Sequence, residues 1–136
     1  MLHLLDTPQV AALLHARPAM VSLVAPWMLR HDVATSILVY GEVIEYIRGR
    51  PDFEALRRSL RTLLREVRPL PLNYRILEGY ADLRRQLRPP YGPGLIGDID
   101  TIIAATALEH DLTLVTTDTD FQRGPGLKLM LLPRTP

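Results

Sequence analysis

The side chains best placed to do chemistry are carboxylates. The stretch "LIGDIDTIIAATALEHDLTLVTTDTDF", residues 95–121, holds six Asp and Glu and not one Lys or Arg. Elsewhere the chain carries sixteen basic residues, fifteen of them Arg, and residues 48–88 set eleven Arg against five acids, a local balance of +6. A solvated helix face with i,i+4 pairs mixes the two signs. Segregation this complete leaves two readings: a well-solvated surface, or a negative charge that awaits a cation the sequence does not encode.

The positions of the acids favour the second. The apolar run "MLHLL" meets Asp6, and "LTLVT" runs into Thr117 and Asp118. In a parallel sheet both carboxylates lie at the carboxyl edge, where open α/β sheets bind ligands. Asp100 falls in the first turn of the helix before the second of these strands, and Glu42 in the first two turns of the helix after "DVATS". Asp6, Glu42, Asp100 and Asp118 can therefore converge, although 36, 58 and 18 residues separate them in turn. Taken singly, each is more often a cap or turn residue. Asp98 has that role at the start of "DTIIAATA", Glu45 faces solvent, and in "TDTDF" Asp120 can support the site beside Asp118 or replace it.

Packed carboxylates raise one another's pKa and destabilise a fold unless a cation compensates. Without Cys, and with His3, His15, His31 and His110 at no ligand spacing, an all-oxygen set selects a hard divalent ion, Mg²⁺ or Mn²⁺. One or two such ions activate a water and neutralise charge on a phosphodiester during in-line displacement. The basic half of the chain would then hold the polyanion.

The elements that must position these acids alternate between strand and helix. "MLHLL", "DVATS", "LTLVTT" and "LKLMLL" read as strands, and "PQVAALLHA" as a helix with Pro8 in its first turn. "PAMVSLVAPWMLRH" reads as a helix kinked at Pro26, and "ILVYGEVIEYIRG" as one closed by Gly49. "PDFEALRRSLRTLLREV" is the clearest amphipathic helix, and "LNYRILEGYADLRRQLR" is another that stops at Pro89-Pro90. In "DTIIAATALEH", Ala104, Ala105 and Ala107 permit close approach to a sheet. The expected fold class is α/β, a small, mostly parallel β-sheet flanked by helices.

At 136 residues the chain suits one domain, long enough to bury roughly two-thirds of its unfolded surface. It has no Cys, which excludes thiol nucleophiles and zinc–thiolate sites and suits a reducing compartment. "MLHLLDTP" lacks a basic leader, and Pro18–Leu29 is too short for a bilayer, so a cytoplasmic protein without a membrane span is expected.

Three segments together, "LLDT", "TSILVYGEVIEYIRG" and "GDIDTIIAATALEHDLTLVTTDTDF", resemble the PIN-domain family, and within it the VapC-type toxins of bacterial and archaeal toxin–antitoxin pairs. The resemblance implies a single PIN-like domain over residues 1–136 and a Mg²⁺- or Mn²⁺-dependent endoribonuclease. It puts the family's four acids on Asp6, Glu42, Asp100 and Asp118, with supporting hydroxyls at Thr7 and Thr116. It also implies an RNA substrate, a second copy of the chain and a small antitoxin as partners. Relatives read Asp-Thr-Asn where this chain has Asp6-Thr7-Pro8, and Thr and Ala where it has Val39 and Gly41. Every acid is retained.

Arg75, Arg84, Arg85 and Arg88 suit RNA phosphates, which guanidinium groups grip bidentately. The apolar N-terminal helices, with Leu13, Leu14, Met20, Leu23, Val24, Trp27 and Met28, suit the core and, where exposed, a partner segment. Two rivals remain: a PIN nuclease of RNA processing without an antitoxin, and a non-catalytic PIN-like binding module, which Pro8 alone favours.

Overall fold

Short runs of β-branched and apolar residues, buried on both faces, form parallel strands when helices cover the sheet. A computed structural model describes residues 1–134 and shows this arrangement. The order is β1 (His3–Leu5), α1 (Thr7–Leu14), α2 (Pro18–Leu29), β2 (Val33–Ser36), α3 (Ile37–Ile47), α4 (Phe53–Leu63) and β3 (Arg68–Leu70). Then come α5 (Tyr74–Leu87), α6 (Asp98–Glu109), β4 (Thr113–Thr116), a 3₁₀ turn (Thr119–Arg123) and β5 (Leu129–Leu131). The sheet is ordered β3-β2-β1-β4-β5 and every pairing is parallel.

This order fixes the layers. From β1 the chain steps outward through β2 to β3, then crosses back to β4 on the other side of β1. Right-handed crossovers place helices of the outward steps on one face and those of the return on the other. The contacts agree: α1, α3 and α4 pack on one another, while α5 and α6 form the most extensive helix pair. The reversal falls between β1 and β4, so a crevice opens beyond their carboxyl ends.

The core lies between the sheet and these layers. Leu4, Leu5, Leu114 and Val115 of the central strands are wholly buried, with Val10, Val39, Val43 and Ile47 above and Ile76 and Ile103 below. Side chains close the helix starts: Ser36 Oγ accepts from Leu38 N at 3.1 Å and Asn73 Oδ1 from Ile76 N at 2.9 Å. Among the described residues no single helix is long and apolar enough to cross a membrane.

The α/β class and the parallel sheet match the sequence reading, and several details differ. The helix expected over 51–67 ends at Leu63, and residues 68–70 form β3. Three residues are too few to show alternation, and Pro69 is tolerated because β3 is an edge strand that bonds on one side only. Gly97, not Asp98, is the N-cap of α6; Asp98 is already helical. Its carboxylate turns outward, accepting from Arg84 Nη1 at 2.7 Å and Tyr80 Oη at 3.2 Å. The alanines of α6 are buried as expected, but Ala105 serves α5: a β-carbon at Gly79 would stand 3.6 Å from its own.

Candidate active site

Asp6 ends β1 and caps α1. Its Oδ1 accepts from Thr7 N at 2.8 Å, and its Oδ2 accepts from Thr116 Oγ1, at the end of β4, at 2.7 Å. The second residue of α1 is Pro8, which has no N–H to offer the cap. Asp6 is only 4% exposed. Burial pushes its carboxyl above the ordinary range, against the two hydrogen bonds that hold it down.

The other three acids come from other elements. Glu42, on α3, receives the Thr7 hydroxyl on Oε1. Asp118 follows β4, its N–H donating to Thr116 Oγ1 at 3.0 Å and its Oδ1 accepting from Asp120 N at 2.9 Å. Thr116 therefore ties Asp6 to Asp118. Asp100 lies in the first turn of α6, and its pKa is pushed up to about 6, by burial first and then by the charges of Asp6, Asp118, Glu42 and Asp120. A pair of threonines and two strand ends thus build one anionic wall.

Asp6, Glu42, Asp100 and Asp118 line a single cleft of about 510 Å³, together with Thr7 and Pro8. Among the described residues none of the four acids has a basic partner within ion-pair distance, although seven Arg or Lys side chains pair with other carboxylates. The donor set is all oxygen. Among the described residues no three His, Asp or Glu side chains form a ready-made metal cage.

The remaining expectations divide. Asp120 stays outside the cleft wall, its carboxylate 3.3 Å from Arg123 Nη2, although its charge reaches Asp100. Arg75 pairs with Glu109 and Arg84 with Asp98, both at 2.7 Å, and neither lines the cleft. Arg85 on α5 and Arg88 at its C-terminal cap are exposed, also away from it. Sequence reasoning passed over three lining residues: His15, Arg17 and Tyr46. Helical spacing was the available signal, since Pro8, Ala11, Ala12 and His15 recur at i, i+3, i+4 and i+7, and Tyr46 follows Glu42 by four.

A comparison with curated proteins found no match. Among solved structures, VapBC-1 from nontypeable Haemophilus influenzae is similar at 27% identity and a TM-score of 0.82, covering 96% of this chain and 98% of that one. VapBC2 from Rickettsia felis, bound to a DNA fragment from its promoter, shares the fold at 22% identity and a TM-score of 0.85, covering 97% and 99%. A toxin–antitoxin complex from Klebsiella pneumoniae shares it at 23% identity and a TM-score of 0.70, covering 92% and 94%. The PIN domain model matches residues 4–127, a span that begins just before Asp6 and ends after Asp118. With all four acids inside that span, on a parallel sheet whose reversal brings them to one cleft, the chain belongs to the PIN-domain family.

Proposed function

We propose that this protein is a divalent-metal-dependent endoribonuclease and the toxin of a toxin–antitoxin pair. The observation that carries the reading is the cleft itself: four carboxylates from four parts of the chain, without a basic partner, one of them with its pKa pushed up to about 6. A fold selected for stability alone has no reason to keep such repulsion, whereas a site that gathers a cation must.

Asp6, Asp100 and Asp118 hold the metal, and Glu42 holds it or orients the attacking water. Mg²⁺ or Mn²⁺, when bound, supplies an activated water and neutralises charge on the phosphodiester. The protein's part is preorganisation. Thr116 and Thr7 fix the Asp6 carboxylate, and the Thr7 hydroxyl holds one oxygen of Glu42 and leaves the other free. The second oxygen of Asp118 is likewise unused by Asp120 N.

The likeness to VapBC-1 supports a small protein antitoxin as partner; a second copy of the chain is the other partner this reading carries. A second cleft of about 610 Å³, walled by Leu13, Val21, Ala25, Met28, Leu29 and Leu63, offers an apolar partner segment a seat. Leu29 there is 83% exposed.

The test is the melting temperature of the metal-free protein titrated with Mn²⁺, beside Asp100→Asn. Binding to the folded state alone raises stability by about 2.7 kcal/mol at a hundred times Kd. The wild type should show the rise and Asp100→Asn should lose it, together with all RNA cleavage. A folded Asp100→Asn protein that cleaves RNA at full rate refutes the assignment.

A further inference from the structure

The cleft is longer than the acids need. It follows one face of α1 from the Asp6 cap to His15, seven residues beyond Pro8, about 10 Å at the helical rise. Its opposite wall is α3, where Tyr46 lies one turn beyond Glu42, about 6 Å further along the axis. At this far end the character of the wall changes from anionic to aromatic and basic.

Three side chains make that change. Tyr46 is 57% exposed, although Val43, one turn earlier on the same helix, is wholly buried. The His15 ring packs against it nearly perpendicular, with centroids 5.9 Å apart and planes at 81°. His15 Nε2 is buried without a hydrogen-bond partner, so the imidazole packs here as an aliphatic group would, at the cost of an unpaired nitrogen. The perpendicular contact takes up one side of the Tyr46 ring, and its 57% exposure leaves the rest accessible. Arg17 is the single Lys or Arg on the cleft wall, and among the described residues it is in no ion pair.

An extended nucleotide strand presents flat bases and regularly spaced phosphates. A ring with one open face stacks a base whatever its identity, and a free guanidinium takes a phosphate bidentately. Building on the nuclease reading, we propose that Tyr46 and Arg17 form a second substrate subsite. In it Tyr46 stacks the base of the nucleotide flanking the scissile phosphodiester, and Arg17 grips the phosphate beyond. His15 is a positioning residue that acts through Tyr46. The basic helix α5, by contrast, takes no part in this grip.

The probe is a fluorescein-labelled twelve-nucleotide RNA of degenerate sequence, its binding to the full chain read by anisotropy. Ca²⁺ replaces Mn²⁺ so that an oxygen-ligated cation is present while turnover is held back. Tyr46→Leu, which keeps apolar volume without a ring, should weaken binding about tenfold or more, and Tyr46→Phe should stay within about threefold of wild type. Arg17→Ala should flatten the plot of log Kd against log salt by about 0.7, the share of one phosphate. Melting temperatures with Mn²⁺ for each variant establish that the fold and the acid site are intact.

Tyr46→Leu binding RNA like the wild type overturns the subsite, as does an unchanged salt slope for Arg17→Ala. Wild type that binds no RNA also overturns it. In that case a Mn²⁺-dependent rise in melting temperature leaves the metal site standing, and its absence removes the nuclease reading as well.

Discussion

If the acids repel one another, neutralising one should stabilise the metal-free protein. Asp100 is the residue to change, because it is half-buried and its carboxyl has a pKa of about 6 against 3.8 when unfolded. Between those values the native state binds more protons than the unfolded one, so stability falls as pH rises through the interval. The full shift corresponds to about 3 kcal/mol. Half of the group faces solvent, and screening there reduces the figure to about 1.5 kcal/mol. Asp100→Asn keeps the shape and cannot ionise. In EDTA it should therefore exceed wild type by about 1.5 kcal/mol at pH 7.5, or roughly 5 °C for a domain of this size.

The pH dependence separates this from a packing effect. The gap should open between about pH 4 and pH 6 and stay constant above, since Asp100 is neutral in the native state at the acid end. Trp27 is the sole tryptophan and is buried against His3, with ring centroids 3.7 Å apart, so its fluorescence reports urea unfolding at each pH. Excess Mn²⁺ should reverse the order, because only the wild type has the ligand. A metal-free Asp100→Asn that is less stable than wild type at pH 7.5, or a gap that ignores pH, would refute the reasoning.

Three further outcomes follow from the same geometry. Thr116→Val strips Asp6 of its Oδ2 donor and Asp118 N of its acceptor, and should cost about 2 kcal/mol in urea unfolding; a loss below about 0.5 kcal/mol would mean that neither bond matters. Mn²⁺ affinity measured by calorimetry should fall about tenfold per pH unit below pH 6, as Asp100 takes up a proton that the metal must displace; a flat profile from pH 7 to pH 5 would remove Asp100 from the ligand set. Arg84→Ala breaks an exposed pair with Asp98 and should cost no more than about 0.5 kcal/mol, while leaving RNA affinity within about twofold; a tenfold loss of affinity would return α5 to the binding surface.

The sequence showed the acids more clearly than it showed the walls between them. Asp6 and Asp118 stand at the ends of apolar runs, and strand ends in a parallel sheet share an edge, so their meeting needed no side-chain detail. The helix alanines and the Pro89-Pro90 stop were visible for similar reasons of spacing. What escaped was set by tertiary context. β3 is three residues with a proline in the middle and exists because β2 has a free edge to bond. Asp98 looks like a cap in any one-dimensional view, but its carboxylate is engaged by Arg84 and Tyr80 of α5. His15 and Tyr46 sit on helix faces that read as ordinary until α1 and α3 are laid side by side.

The segregation of charge acquires a different meaning once those faces are known. The eleven Arg of residues 48–88 were the natural candidates to hold a polyanion, yet none of them lines the cleft. On α4 and just beyond it, Arg57, Arg58, Arg61 and Arg65 are all exposed, and only Arg57 has an acid within reach, Glu54 at 3.4 Å. Exposed charges act through their summed field more than through contacts, raising the rate of encounter with an oppositely charged ligand and fading as salt rises. The cleft itself repels a phosphate until a cation enters it. On the proposed reading, a basic body around an acidic mouth divides the work: the field of α4 and α5 would set how often RNA arrives, and a bound metal with Arg17 would set whether it stays. Charge reversal on α4 should then slow association at low salt and leave the dissociation rate nearly unchanged, whereas Arg17→Ala should act on dissociation.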